Sequence, residues 1–205
     1  MESIVTFTFP EAECLLTLNR RGPRKYGSIL ELLVSGTGED STISRPDSVN
    51  MINRTFRIST KYTSMIDFQH LDREVIEAQL KKLVSDGKIY WQRFQKYEVL
   101  EYLTGGFFSE HQDKRRKKTH CATLLIFPPA IGALEHVGGE LVLDRGRFKF
   151  DSSANKVWTF IAFHTNLPHE CKQVLSGRRV VFKTELYSTA PVQAAEFDLL
   201  PPITD

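Results

Sequence analysis

The spacing of apolar positions shifts along the chain from every second residue to every third or fourth and back again, and these shifts mark its elements. Residues 3 to 9 alternate, with Val5, Phe7 and Phe9 set between threonines, which predicts a strand. After Pro10, Cys14, Leu15 and Leu18 fall at helical spacing and predict a short helix over Glu11 to Leu18. The apolar segment Ile29 to Val34 fits either type. Gly36 to Val49 is rich in Gly, Ser, Thr, Asp and Pro and reads as a loop long enough to act as a lid, with a short strand over Phe56 to Ser59 after it.

The strongest helical period begins at Asp72, a good N-cap. It places Ile76, Leu80, Leu83 and Val84 on one stripe before Gly87 stops it. That stripe predicts a helix covering the outside of a sheet. Lys88 to Leu103 is dense in aromatic and branched residues and predicts one or two strands leading into His111. Five further strands are predicted over Cys121 to Phe127, Glu140 to Leu143, Arg147 to Phe150, Val157 to Phe163 and Val180 to Leu186. Gly138-Gly139, Asp144-Arg145-Gly146 and Ser176-Gly177 read as the turns between them.

Closely spaced strands with turn signals predict a mainly β protein with flanking helices, its strands forming a sandwich or a double-sheet barrel, a jelly roll being one way to hide the edges. We divide the chain into an N-terminal α/β supporting region (1–87), a barrel (88–190) and a C-terminal tail (191–205).

Composition narrows the function classes. At 205 residues the chain can bury one sizeable core, and 41% hydrophobic with 25% charged residues is ordinary for a globular protein. A net charge of +2 is too small to argue for nucleic acid on global electrostatics. Cys14, Cys121 and Cys171 are an odd number, widely separated, which points away from a disulfide framework or a thiolate zinc site and toward a reducing compartment. The first ten residues lack a basic n-region, and no stretch approaches the roughly 20 apolar residues of a membrane span. The expectation is an intracellular protein, cytoplasmic or nuclear, without a membrane partner.

The chemistry centres on His111 and Asp113. In an extended chain residues i and i+2 point to one face, so the imidazole and the carboxylate can converge on a metal ion. An Fe(II) site that activates oxygen uses two histidines and one carboxylate, leaving the remaining positions open. His169, in Pro168-His169-Glu170 just beyond a predicted strand, can supply the second imidazole, because a double-sheet barrel sets distant strands side by side. A 2-oxo acid that supplies electrons to such a site carries a far carboxylate needing a buried cation. Arg179, ten residues after His169, is placed for a bidentate pairing, with Arg178 facing outward.

Tyr102 through Asp113 (YLTGGFFSEHQD), then Gly138-Gly139-Glu140-Leu141, then Pro168-His169-Glu170 through Ser176-Gly177-Arg178-Arg179, resembles the prolyl-hydroxylase branch of the Fe(II)/2-oxoglutarate-dependent dioxygenases, over roughly residues 90 to 187. The resemblance implies a catalytic double-stranded β-helix of the jelly-roll or cupin-like kind, iron on His111, Asp113 and His169, the 5-carboxylate of 2-oxoglutarate on Arg179, Tyr102 near the cosubstrate, and Gly138-Gly139 opening a core strand. It implies O2 as cosubstrate, ascorbate as reductant, and hydroxylation of a peptidyl proline with release of succinate and CO2. One position departs from the pattern. Where the oxygen-sensing prolyl hydroxylases place a tyrosine hydroxyl, this chain has Phe127, with Thr123 the candidate replacement.

Other readings stay open. The basic run Lys114 to Lys118 fits a solvated hairpin loop, an import tract, or a substrate rim formed by Lys114, Arg115 and Arg116. With Arg20, Arg21, Arg24 and Lys25 it motivates a nucleic-acid demethylase as a rival, beside an oxygenase for a free amino acid or small metabolite and a catalytically silent binding barrel. His70, His120 and His136 read as surface or structural, and His164 lacks an arginine at the matching interval. Residues 1 to 65 are expected to recognise substrate.

Overall fold

The computed structural model describes residues 1–9, 16–19, 25–26, 29, 33, 38–40, 43–44, 50–51, 54–68, 71–92 and 94–191. Ten strands build the barrel and its extensions. They are β1 (Ile4–Phe9), β2 (Thr60–Phe68), β3 (Phe94–Leu103), β4 (Phe107–His111), β5 (His120–Phe127), β6 (Leu141–Leu143), β7 (Phe148–Phe150), β8 (Trp158–His164), β9 (His169–Cys171) and β10 (Val174–Ser188). The major sheet runs β1-β8-β5-β10-β3-β2 and continues through Leu16–Asn19 and Lys25–Tyr26. The minor sheet runs β7-β6-β9-β4 and ends on Arg57–Ile58. Both are antiparallel throughout, and together they form the jelly roll that the strand spacing predicts.

The period-2 alternation of the central strands sorts two cores. Ala122, Leu124 and Ile126 of β5, Phe160 and Ala162 of β8, and Val180 and Phe182 of β10 belong to one apolar cluster, shared with Ile76, Leu80 and Leu83. Leu125 and Phe127, Ile161 and Phe163, and Val181 belong to a second, shared with Leu141, Leu143 and Cys171 of the minor sheet. The major sheet is therefore buried on both faces, by the helix side on one and by the barrel interior on the other. Strands buried in this way read as continuous apolar runs, and β5 is buried at all eight positions.

Helix α1 (Arg73–Leu80) starts where expected. The Asp72 carboxylate accepts from the backbone N–H groups of Glu74 at 2.8 Å and Val75 at 3.4 Å. It stops earlier than its apolar stripe predicts, passing into a 3₁₀ turn over Lys81–Leu83, with Val84 extended. Leu83 and Val84 are buried regardless, since a tighter turn delivers them to the same core.

Three further expectations differ from the structure. Of the helix expected over Glu11 to Leu18, residues 11–15 lie outside the described residues, and Leu16–Asn19 is a strand, pairing Leu16 with Phe68 and Leu18 with Ile66. A helix of eight residues is marginal by itself, whereas the edge of β2 offers a complete ladder. The loop expected over Gly36 to Val49 contains Glu39–Asp40, which pairs with β2, and Ile43–Ser44; the rest of the lid expectation falls outside the described residues. The last strand begins at Val174 rather than Val180, so Ser176-Gly177 is not a turn. Gly177, at φ +80°, lies inside β10 opposite His136 of the short strand His136–Gly138, next to a register shift. A positive-φ glycine can bend a strand without ending it.

Of the ambiguous segment Ile29 to Val34, Ile29 and Leu33 are described, both helical and buried. The short strand Arg57–Ile58 falls where one was expected. Of the tail only Pro191 is described, and His70, Arg20, Arg21 and Arg24 lie outside the described residues.

Candidate metal centre

β4 and β9 are neighbours in the minor sheet, and His111 pairs directly with His169 across them. A register shift between Phe108 and His111 breaks the ladder at the strand end, the place where a bulge re-aims side chains. The two imidazole rings stand 4.1 Å apart. Two residues beyond His111, the backbone N–H of Asp113 donates to the Thr165 carbonyl at 3.1 Å, which turns its carboxylate toward the histidines. Asp113 Oδ2 lies 3.8 Å from His169 Nε2. One donor atom from each of the three residues lies within 4.8 Å of the other two.

The histidines are prepared as ligands. His111 Nδ1–H donates to the Ser109 carbonyl at 2.8 Å and His169 Nδ1–H to the Leu167 carbonyl at 2.9 Å. Those bonds fix the tautomer and leave the Nε2 lone pairs for a metal. Burial holds both imidazoles below their ordinary pKa; for His111 the neighbouring His169 adds to the effect, while for His169 the Asp113 carboxylate opposes it. Burial pushes Asp113 up, but Lys183, then His169 and His111, outweigh it and hold its carboxyl well below the usual carboxylate range. Two neutral imidazoles and one carboxylate are a donor set that suits ferrous iron.

Behind them, Arg179 on β10 is 1% exposed, and its Nε and Nη1 have no hydrogen-bond partner. Its guanidinium carbon lies 5.1 Å from the centre of the Tyr102 ring and 5.2 Å from that of Phe127. A cation so enclosed and so weakly paired is costly unless an anion joins it. Arg179, Tyr102, His111 and His169 line one cavity, together with Arg57 and Lys183. Gly139 shows how the space is made. At φ +76°, it sits where a Cβ would come within 2.6 Å of Arg179 Cδ. Strand β6 opens two residues later.

The remaining expected residues fall elsewhere. Arg115 donates to the Lys117 carbonyl at 3.2 Å and to that of Lys118. Arg116 pairs with Glu185 at 2.7 Å. Neither they nor Lys114 line the cavity. Arg178 faces away from it, on Glu101 at 2.9 Å. The Thr123 hydroxyl donates to Asp113 Oδ2 at 2.5 Å, so it orients a candidate metal ligand rather than standing in for the hydroxyl that Phe127 lacks. His164 is buried with Nε2 against the Leu83 carbonyl at 2.6 Å, and His136 bridges the Leu134 carbonyl and Ser152 at 3.0 Å each. His120 is buried as well, its Nδ1 accepting from the Arg116 backbone at 3.3 Å. These three are structural histidines and none is at the surface.

Sequence reasoning missed Lys183, whose Nζ lies 2.7 Å from Asp113 Oδ1. The signal was its spacing: residues 179, 181 and 183 of one strand share a face. It also missed Arg57, buried on the edge strand with its guanidinium 4.2 Å from the centre of the Phe108 ring.

No family model and no curated protein matches the chain. Solved structures do. The chain is similar to a prolyl hydroxylase from Trichoplax adhaerens, in complex with a hypoxia inducible factor oxygen degradation domain peptide fragment, at 20% identity and a TM-score of 0.52 over 78% of this chain and 74% of that one. It is also similar to a prolyl-4-hydroxylase from Pseudomonas putida, at 12% identity and a TM-score of 0.54 over 91% and 92% of the two chains. At these identities the likeness establishes the fold.

Proposed function

We propose that this chain is an Fe(II)- and 2-oxoglutarate-dependent dioxygenase that hydroxylates an unactivated C–H bond, that of a peptidyl proline. One observation carries the reading: the cluster of His111, Asp113 and His169 opens, through its two histidines, on a cavity shared with a buried arginine that lacks partners for two of its nitrogens. The triad fits a ferrous ion and the guanidinium fits a carboxylate, so the two halves of the site call for two different ligands.

His111 Nε2, His169 Nε2 and the Asp113 carboxylate would hold the iron, and Arg179 would hold the far carboxylate of 2-oxoglutarate through parallel N–H donors. With both bound, the iron would supply oxygen activation coupled to oxidative decarboxylation of 2-oxoglutarate to succinate and CO2. The chain's own work is positioning. Ser109 and Leu167 carbonyls orient the imidazoles, and Thr123 orients the carboxylate. Tyr102, buried and kept protonated by that burial, packs beside the guanidinium as part of the cosubstrate wall. The apolar lining of Leu100, Leu125, Leu141 and Val181 excludes water.

The peptide substrate rests on the resemblance in the motifs and on the fold shared with the two prolyl hydroxylases. In the same reading residues 1–87 support the barrel and residues 1–65 among them recognise substrate, Lys114, Arg115 and Arg116 form an outer rim, and ascorbate keeps the iron ferrous. With Arg115 and Arg116 engaged within the protein, a nucleic-acid substrate is the weaker alternative.

The test is direct. Anaerobic addition of Fe(II) and 2-oxoglutarate should give a visible metal-to-ligand charge-transfer band that His111→Ala lacks. With oxygen admitted, succinate release should rise with proline-containing peptides more than with free amino acids or methylated oligonucleotides. A colourless wild-type mixture refutes the oxygenase, whereas colour with succinate release on free amino acids alone refutes only the peptide. Omitting ascorbate should shorten the linear phase of turnover.

A further inference from the structure

Asp113 is held through its backbone N–H and through both carboxylate oxygens. Its backbone N–H is on Thr165, one carboxylate oxygen accepts from Thr123 and faces His169 at 3.8 Å, and the other accepts from Lys183 at 2.7 Å. The Lys183 and Asp113 side chains are only 21% and 13% exposed. A candidate metal ligand is thus paired directly with an ammonium that is itself mostly enclosed. Thr123 already gives the carboxylate its orientation, and a positive charge beside a cation site opposes the cation.

Resting on the reading of this site as a metal centre, we propose that Lys183 is a positioning residue that stands in for the metal's charge before the metal binds and limits how tightly it is then held. The physical argument has two halves. A carboxylate enclosed in the barrel without a counter-charge is costly, so Lys183 lets the site fold without a divalent ion. Once an ion arrives, it shares Asp113 with an ammonium that repels it across a few ångströms of poorly screened interior, so its affinity falls. The same contact stabilises the metal-free protein and loosens the metal. Occupancy then follows the ambient metal concentration instead of being fixed at folding.

Mn2+, a redox-stable divalent probe, tests this on the full chain by calorimetric titration and by thermal unfolding with and without the ion. Lys183→Met keeps the length of the side chain and removes the charge. It should lower the metal-free Tm yet bind Mn2+ about tenfold tighter or more, within the range over which groups around metal ligands act. Lys183→Arg should stay close to wild type in both. Adding Asp113→Asn to Lys183→Met should restore the metal-free Tm, because an amide needs no counter-charge.

Unchanged or weaker Mn2+ affinity in Lys183→Met overturns the proposal. Should that variant fail to fold alone, refolding in saturating Mn2+ recovers it if the proposal holds, and failure there overturns it too. A wild-type protein that gains no Tm from Mn2+ brings down the metal-centre reading itself, a distinguishable result.

Discussion

The central strands of the major sheet are buried on both faces, and the two faces differ in kind. Toward α1, β10 presents Val180 and Phe182, and β5 presents Ala122, Leu124 and Ile126. Toward the barrel the same strands present Arg179, Val181 and Lys183, and Thr123, Leu125 and Phe127. One face carries no polar side chain among these positions, while the other carries an arginine lacking hydrogen-bond partners at two nitrogens, and a lysine and a hydroxyl engaged with a metal-ligand candidate. An apolar face contributes stability by removing surface from water. A polar face at equal depth gives up part of that gain and holds groups ready for a ligand. The comparison predicts that substitutions on the two faces separate stability from binding.

The largest effect is expected on the helix side. Phe182 is fully buried, with its ring centre 6.1 Å from that of Phe68 and 6.0 Å from that of Trp158. Phe182→Ala should cost about 3–5 kcal/mol of folding stability, measured by denaturant unfolding, through lost burial and a residual cavity. A loss below about 1 kcal/mol would show that this face is not the stabilising one.

The next largest effect lies three residues away on the opposite face. Arg179→Met removes a buried cation that lacks partners for two nitrogens, so the folded protein should lose no stability and can gain some. Binding of 2-oxoglutarate, read from the charge-transfer band, should weaken by about 2–5 kcal/mol, the cost of leaving a buried carboxylate without its partner. A variant that unfolds readily while binding 2-oxoglutarate normally would reverse the assignment of the two faces.

Much of this contrast was legible in the chain. His-x-Asp at the end of an extended run, a distant Pro-His-Glu and an arginine ten residues on could be assembled because a double-sheet barrel brings such strands together, and His111 does pair with His169. Lys183 was not legible as a site residue. A lysine in a strand ordinarily marks a solvated edge, and only its two-residue period from Arg179 and the closure of the barrel over it say otherwise. Gly177 misled for a different reason, since positive φ serves a turn and a bulged strand equally and the residue type does not distinguish them. Cys14, Leu15 and Leu18 fit a helical period while Leu16 and Leu18 fit a strand's, in a segment too short to decide, and β2's open edge settled it.

The smallest effect sharpens the comparison by lying beyond both faces. Asp72 is exposed, and its carboxylate caps α1 through two backbone N–H groups, those of Glu74 and Val75. Asp72→Ala should cost about 1 kcal/mol of folding stability, the usual value of such a cap, and Asp72→Ser should recover most of it because a hydroxyl can accept the same bonds. The helix reaches the rest of the protein through Ile76 and Leu80, both in the cluster on the outer face of the sheet. None of its residues lines the cavity. Affinity for 2-oxoglutarate should therefore match wild type as long as the protein is folded. A shift in that affinity parallel to the loss of stability would mean that the sheet transmits strain between its faces, and the separation of stability from binding would not hold.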